Sequence, residues 1–241
     1  EMVPTVKLPG MGLWMGWLAA NVLGLLVAVG LGATAVWAVI TVVLSAEEVR
    51  LEERIVAGLA TVAVGTTLTA FALSWAQFRV LRRVFWLMKR GEWVSATAVG
   101  LGVVWVLGAI PFALRLVLEE TELGESIILP DLSSLSRVPV AWLGLALGFI
   151  VGAILGTTQR VVLKRYIVGA KWWVPAHIVG WSLALMLASQ ARDPLLSGKP
   201  LVATAPVALG WLALAAAIVA AINGFVLVWL ARRRAEAAAY Q

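Results

Sequence analysis

The chain has 241 residues, of which 62% are hydrophobic and 13% charged, and it carries a formal net charge of +6. A soluble globular domain is about half apolar and a quarter charged, so this composition excludes an ordinary water-soluble fold and indicates membrane spans. Cysteine is absent, which removes disulfides, cysteine-ligated zinc, iron–sulfur clusters and thiol chemistry.

Six apolar segments follow one another, at roughly 12–44, 55–80, 93–118, 139–162, 172–190 and 205–231. Each is long enough, or nearly so, to cross ~30 Å of hydrocarbon as a helix. The first is longer than a crossing needs, so it either tilts, bends near Gly30 and Gly32, or projects beyond the bilayer. Ahead of it, Glu1–Gly10 has one lysine and no clear cleavage site, so the segment reads as a retained first span. Pro111 falls inside the third segment and is expected to kink it. Pro175 lies near the start of the fifth, where a first helical turn tolerates proline.

The connections alternate in character. Those after segments one, three and five are acidic and include Glu47, Glu48, Glu119, Glu120 and Asp131. Those after segments two and four are short and basic, with Arg79, Arg82, Arg83, Lys89 and Arg90, then Arg160, Lys164, Arg165 and Lys171. With Lys7 and Arg232, Arg233 and Arg234 near the C-terminus, thirteen of the nineteen basic residues share one side. The positive-inside rule then places both termini in the cytoplasm and the acidic loops outside. The positive charge is thus a topology signal, compatible with anionic lipid headgroups, and does not indicate a nucleic-acid partner.

A repeat runs through the segments. Tryptophan, alanine, a polar residue and glycine recur as Trp17, Ala20, Asn21, Gly24, then Trp93, Ala96, Thr97, Gly100, then Trp173, Ala176, His177, Gly180. These offsets share one helix face. Between the copies stands a second pattern of small residues and an anchor: Thr66, Ala70, Ser74, Gln77; Gly148, Gly152, Gly156, Gln159; and Ala216, Ala220, Gly224, Leu227. The fold class expected is therefore all-α: a six-span polytopic membrane protein made of three parallel helix pairs, a pseudo-threefold bundle. It forms one transmembrane domain, 1–241, with internal repeats at approximately 12–91, 92–170 and 171–234.

Each element of the repeat has a physical role. Trp17, Trp93 and Trp173 are expected as interface anchors, because an indole settles at the headgroup boundary. Gly24, Gly100, Gly180, Gly148, Gly152, Gly156, Ala216, Ala220 and Gly224 are expected to let helices pack closely, since small residues at four-residue spacing bring membrane helices into contact. The polar positions Asn21, Thr97, His177, Gln77 and Gln159 lie at similar depth and are expected to hydrogen-bond between the two helices of a pair. They either form separate seams, the favoured arrangement, or a ring toward a central axis. In the third pair Leu227 replaces glutamine, with Asn223 one turn earlier as a substitute.

Chemistry-bearing motifs are scarce. The sequence has no Gly-x-Ser-x-Gly, no His-Glu-x-x-His, no phosphate-binding Gly-Lys-Ser/Thr and no EF-hand spacing. No acidic residue lies in the middle of a span, which counts against a proton- or ion-coupled transporter. No catalytic residue and no metal site is expected. The only histidine, His177, reads as a structural residue first; as an axial ligand to haem or chlorophyll it is the one cofactor candidate. Trp105, deeper in its span, reads as lipid-facing volume before pigment stacking.

The strings QRVVLKRYIVGAKWWVPAHIVGW, AQFRVLRR and INGFVLVWLARR carry a resemblance. With Gln77, Leu81, Arg82 and Gln159, Leu163, Lys164 at helix ends and Trp172, Trp173 at a helix start, they resemble a class of uncharacterised small multispanning proteins common in photosynthetic bacteria and their relatives. The resemblance covers most of segments two to six. It implies a bacterial inner membrane and brings no activity or catalytic residues.

These observations yield three functional expectations. The first is a non-catalytic accessory or scaffold subunit of a larger membrane-protein complex, with lipid and other subunits as its partners. The second is a passive channel or carrier for a small neutral or lipidic molecule, lined by Asn21, Thr97 and His177. The third is a pigment- or haem-binding subunit.

Overall fold

The structure, a computed structural model, describes residues 9–44, 50–119, 136–195, 197–198 and 200–239. The acidic stretches 45–49 and 120–135, with Glu47, Glu48, Glu120 and Asp131, lie outside the described residues.

The described residues are helical throughout apart from short connections: α1 (Met11–Leu44), α2 (Leu51–Leu81), α3 (Arg90–Glu119), α4 (Arg137–Leu163), α5 (Trp173–Ala188), the single turn α6 (Arg192–Leu195) and α7 (Leu201–Ala239). Six of these helices are long and apolar enough to cross a membrane. The boundaries follow local chemistry. Glu52 and Glu53 occupy the first turn of α2 and Arg79 its last, each sign matching the helix dipole. The helix α3 continues past Pro111, and α7 takes in Pro206 in its early turns. A left-handed Gly169, φ +87°, turns the chain into the 3₁₀ turn Ala170–Trp172 that opens α5.

The long helices close a ring. Each packs on the next in the order α1, α2, α3, α4, α5 and α7, and α7 returns to α1. The closure is tied by the Trp14 indole donating to the Ala221 carbonyl at 3.1 Å and by Arg232 Nε donating to the Pro9 carbonyl at 2.7 Å. The tightest seam joins α4 and α5. A Cβ on Gly144, Gly148, Gly152 or Gly156 would lie 2.6, 2.2, 2.4 and 2.9 Å from backbone atoms of α5, so only glycine permits this approach.

The connections after α2 and after α4 are built alike. In one, Arg82, Arg83, Val84 and Phe85 donate backbone N–H groups to Phe78, Val80 and, twice, Leu81. In the other, Lys164, Arg165, Tyr166 and Ile167 donate to Arg160, Val162 and, twice, Leu163. Both turns place an apolar side chain, Phe85 or Ile167, inside a core that also holds Leu81, Leu163, Leu227 and Leu230. The basic residues gather round this end. Arg234 donates to the Val84 carbonyl at 3.4 Å, and Arg165 pairs with Glu92 at 3.3 Å. Tyr166 also donates to Glu92, at 2.7 Å, and this bond, more than burial, raises its phenol above the ordinary value of 10. At the opposite end Arg137 pairs with Asp193.

Candidate functional site

The polar positions converge inside the ring of helices, just beneath the end that carries the basic turns. Asn21 on α1, Gln77 on α2, Thr97 on α3, Gln159 on α4, His177 on α5 and Asn223 on α7 are all buried. Each is placed by a helix whose neighbouring small residues let the partner approach. Gly24 faces Leu73 and Ala76 of α2; Gly100 faces Leu155 and Thr158 of α4; Gly180 faces Val219 of α7. Ala216 and Ala220 are buried on α7, and Gly224 makes room for the rings of Trp14 and Trp17.

One bonding scheme occurs twice in full. Gln77 donates through Nε2 to Asn21 Oδ1 at 2.7 Å, and its Oε1 accepts from the Trp93 indole at 3.2 Å. Gln159 donates through Nε2 to Thr97 Oγ1 at 3.2 Å, and its Oε1 accepts from the Trp173 indole at 3.0 Å. Each glutamine therefore ties its own helix pair together and also holds the tryptophan that starts the next pair. Primary amides suit this task because they offer a donor and an acceptor from one planar group.

The third occurrence departs from the scheme. Leu227 stands where the other pairs have glutamine, and Asn223 takes over from one turn earlier, with Nδ2 at 3.4 Å from His177 Nε2. His177 Nδ1 faces the Trp173 carbonyl at 3.1 Å, so Nδ1 is the donating nitrogen and Nε2 the accepting one. Asn21 makes the corresponding bond on α1, donating to the Trp17 carbonyl at 2.8 Å. Three buried side-chain atoms have no hydrogen-bond partner among the described residues: the Trp17 indole nitrogen and Asn223 Oδ1, both at this site, and Thr66 Oγ1 on α2.

Trp17, Trp93 and Trp173, expected as interface anchors, face into the bundle and not outward; each has 0% exposure. They meet inside the bundle, with ring centroids 5.7 Å apart for Trp17–Trp173 and 6.4 Å for Trp93–Trp173, both edge to face. The reason was readable in the pattern: each indole shares a face with the inward polar residue one turn later, and in two cases its N–H reaches a buried glutamine. The exposed tryptophans are others, Trp75, Trp86, Trp142 and Trp172. Trp105 is half-buried. It packs over Gly65 of α2 and donates to Thr69 at 3.3 Å.

The cofactor role considered for His177 meets a geometric obstacle. Both ring nitrogens face groups of the bundle, and the adjoining cavity holds about 20 Å³, far too little for a tetrapyrrole. The cavity is lined by Asn21, Gln77, Gln159, His177 and Asn223, together with apolar residues. The seam bonds favoured from the sequence are present, and Asn21, Gln77, Gln159, His177 and Asn223 border one small space, whereas Thr97 does not line it. A larger apolar groove of about 600 Å³ lies on the outside, between α5 and α7, with Trp14, Trp172, Val179 and Phe225 among its walls.

No protein family, curated protein or solved structure matches this chain. Its function must be argued from the side chains themselves.

Proposed function

We propose that the chain is a six-span membrane protein of three parallel helix pairs about a pseudo-threefold axis. It acts as a non-catalytic accessory or scaffold subunit of a larger assembly in a bacterial inner membrane, with both termini cytoplasmic. The repeated glutamine–indole scheme and the matching turns after α2 and α4 support the three-pair arrangement. Basic residues at one end support the orientation. Exposed Trp75 and Trp86 near that end, and Trp142 near the other, are placed as membrane-interface residues would be.

The observation that carries the scaffold role is the direction in which polarity points. The hydrogen bonds that the buried amides, the imidazole and two of the three central indoles make run to one another or to backbone carbonyls inside the bundle. What the bundle offers to other molecules is an apolar exterior, including the groove between α5 and α7. A path for a small molecule along the axis would have to pass the Trp17–Trp93–Trp173 cluster and a cavity of about 20 Å³, so the geometry favours the scaffold over a channel.

Purification from native membranes in mild detergent, with co-eluting proteins identified by mass spectrometry, tests this role. A stoichiometric partner is expected, and Phe225→Arg or Val179→Arg should reduce its recovery at unchanged expression. A solitary protein under every mild condition contradicts the proposal.

A further inference from the structure

The departure of the third helix pair from the repeat points to a specific small-molecule site. On α2 and α4 the inward face reads leucine and, four residues later, glutamine: Leu73 and Gln77, Leu155 and Gln159. On α7 the order is reversed, with Asn223 and then Leu227. The amide is moved one turn away from the tryptophan cluster and shortened by one methylene. Trp17, at the place where Trp93 and Trp173 receive a glutamine oxygen, therefore has no acceptor, and Asn223 Oδ1 has no donor.

Asn223 also borders the cavity of about 20 Å³ described above. One water needs ~10–15 Å³ of such space and two to four polar partners. The walls supply both kinds. Asn223 Oδ1 is an open acceptor. Asn21, Gln77 and Gln159 each commit one amide N–H to the bonds already described, and a primary amide nitrogen carries two.

We propose that this cavity is a binding site for a single water molecule, which donates to Asn223 Oδ1 and accepts from the second N–H of a neighbouring carboxamide. The water gives Asn223 Oδ1 the donor it lacks; the Trp17 indole, which does not line the cavity, takes no part in this link. The site selects by size and neutrality: nothing much larger than water fits, and no charged side chain lines it.

The test is a structure of the full chain at a resolution that shows ordered water. A peak ~2.5–3.0 Å from Asn223 Oδ1 inside the cavity is expected. A dry cavity, or Asn223 Oδ1 bonded directly to a protein donor such as the Trp17 indole, overturns the proposal. The double variant Asn223→Leu/Leu227→Gln gives α7 the order found on α2 and α4. It is expected to lose the water and pair the Trp17 indole with the new amide; retention of the water there also overturns the assignment to Asn223. Should the variant not fold, the native map decides alone.

Discussion

At the scale of the residue, the buried amides and indoles have unequal consequences when removed. Gln159→Leu deletes two bonds, to Thr97 Oγ1 and from the Trp173 indole, and Gln77→Leu likewise strands Asn21 Oδ1 and the Trp93 indole, Asn21 keeping its bond to the Trp17 carbonyl. Each is expected to cost about 1–3 kcal/mol, the penalty of stranding a buried polar group, read as a loss of unfolding free energy in detergent. The three central tryptophans should not respond alike to phenylalanine. Trp173→Phe loses an indole bond and strands Gln159 Oε1, whereas the Trp17 indole has no partner to lose. Trp17→Phe should therefore be milder by about 1 kcal/mol or more, and equal losses would refute the difference in pairing. Tyr166 gives a pH signature at the surface. Its phenol is raised by Glu92, so its bond stabilises the fold fully below pH 10 and loses that contribution as pH climbs through the raised value. Tyr166→Phe should remove this alkaline dependence from the unfolding curve. At this scale the sequence showed which positions were polar and shared a face. It did not show that one glutamine would serve two helices, because that depends on how the next pair is docked.

At the scale of the element, the helices were legible because apolar runs of this length have one stable form in hydrocarbon, where each backbone N–H and C=O must be paired within its own segment. Their ends differed from the expected bounds, most of all in α7, which runs from Leu201 to Ala239 where 205–231 was expected. The glycine spacing was legible too, but its energetic weight is uneven. At Gly148 an added Cβ lies 2.2 Å from the Trp181 carbonyl oxygen, whereas at Gly180 the nearest atom is 3.4 Å away, an ordinary contact. Gly148→Ala should lower the thermal unfolding midpoint strongly, by an overpacking cost of about 2 kcal/mol or more, while Gly180→Ala should be close to neutral. Gly144, in the same row as Gly148, belongs to this seam although the three-glycine pattern did not include it. The tryptophans misled because indoles favour two settings, the membrane interface and a packed core with a hydrogen-bond partner, and composition alone does not separate them. The polar residue one turn after each of Trp17, Trp93 and Trp173 was the signal that does.

At the scale of the whole molecule, the ring closes through α1 and α7, the most distant helices in sequence, and this is where the glutamine–indole bonding scheme is not followed. Asn223, Leu227 and the unpaired Trp17 indole all stand at or beside that seam. Closure could not be read from the sequence, since Arg232 reaching Pro9 and Trp14 reaching Ala221 carry no local pattern. The arrangement proposed has six crossings, with the turns around Trp86 and Val168 on the cytoplasmic side and Ser136 and Val202 on the other. Because the chain has no cysteine, a single cysteine placed at any of these exposed positions is a unique label. The most direct measurement is labelling of Trp86→Cys, Val168→Cys, Ser136→Cys and Val202→Cys in intact spheroplasts with a membrane-impermeant maleimide. Ser136→Cys and Val202→Cys should label at once, and Trp86→Cys and Val168→Cys only after the membrane is opened. Equal labelling of all four before opening, or a pattern in which positions 136 and 202 fall on opposite sides, would contradict the six-span bundle.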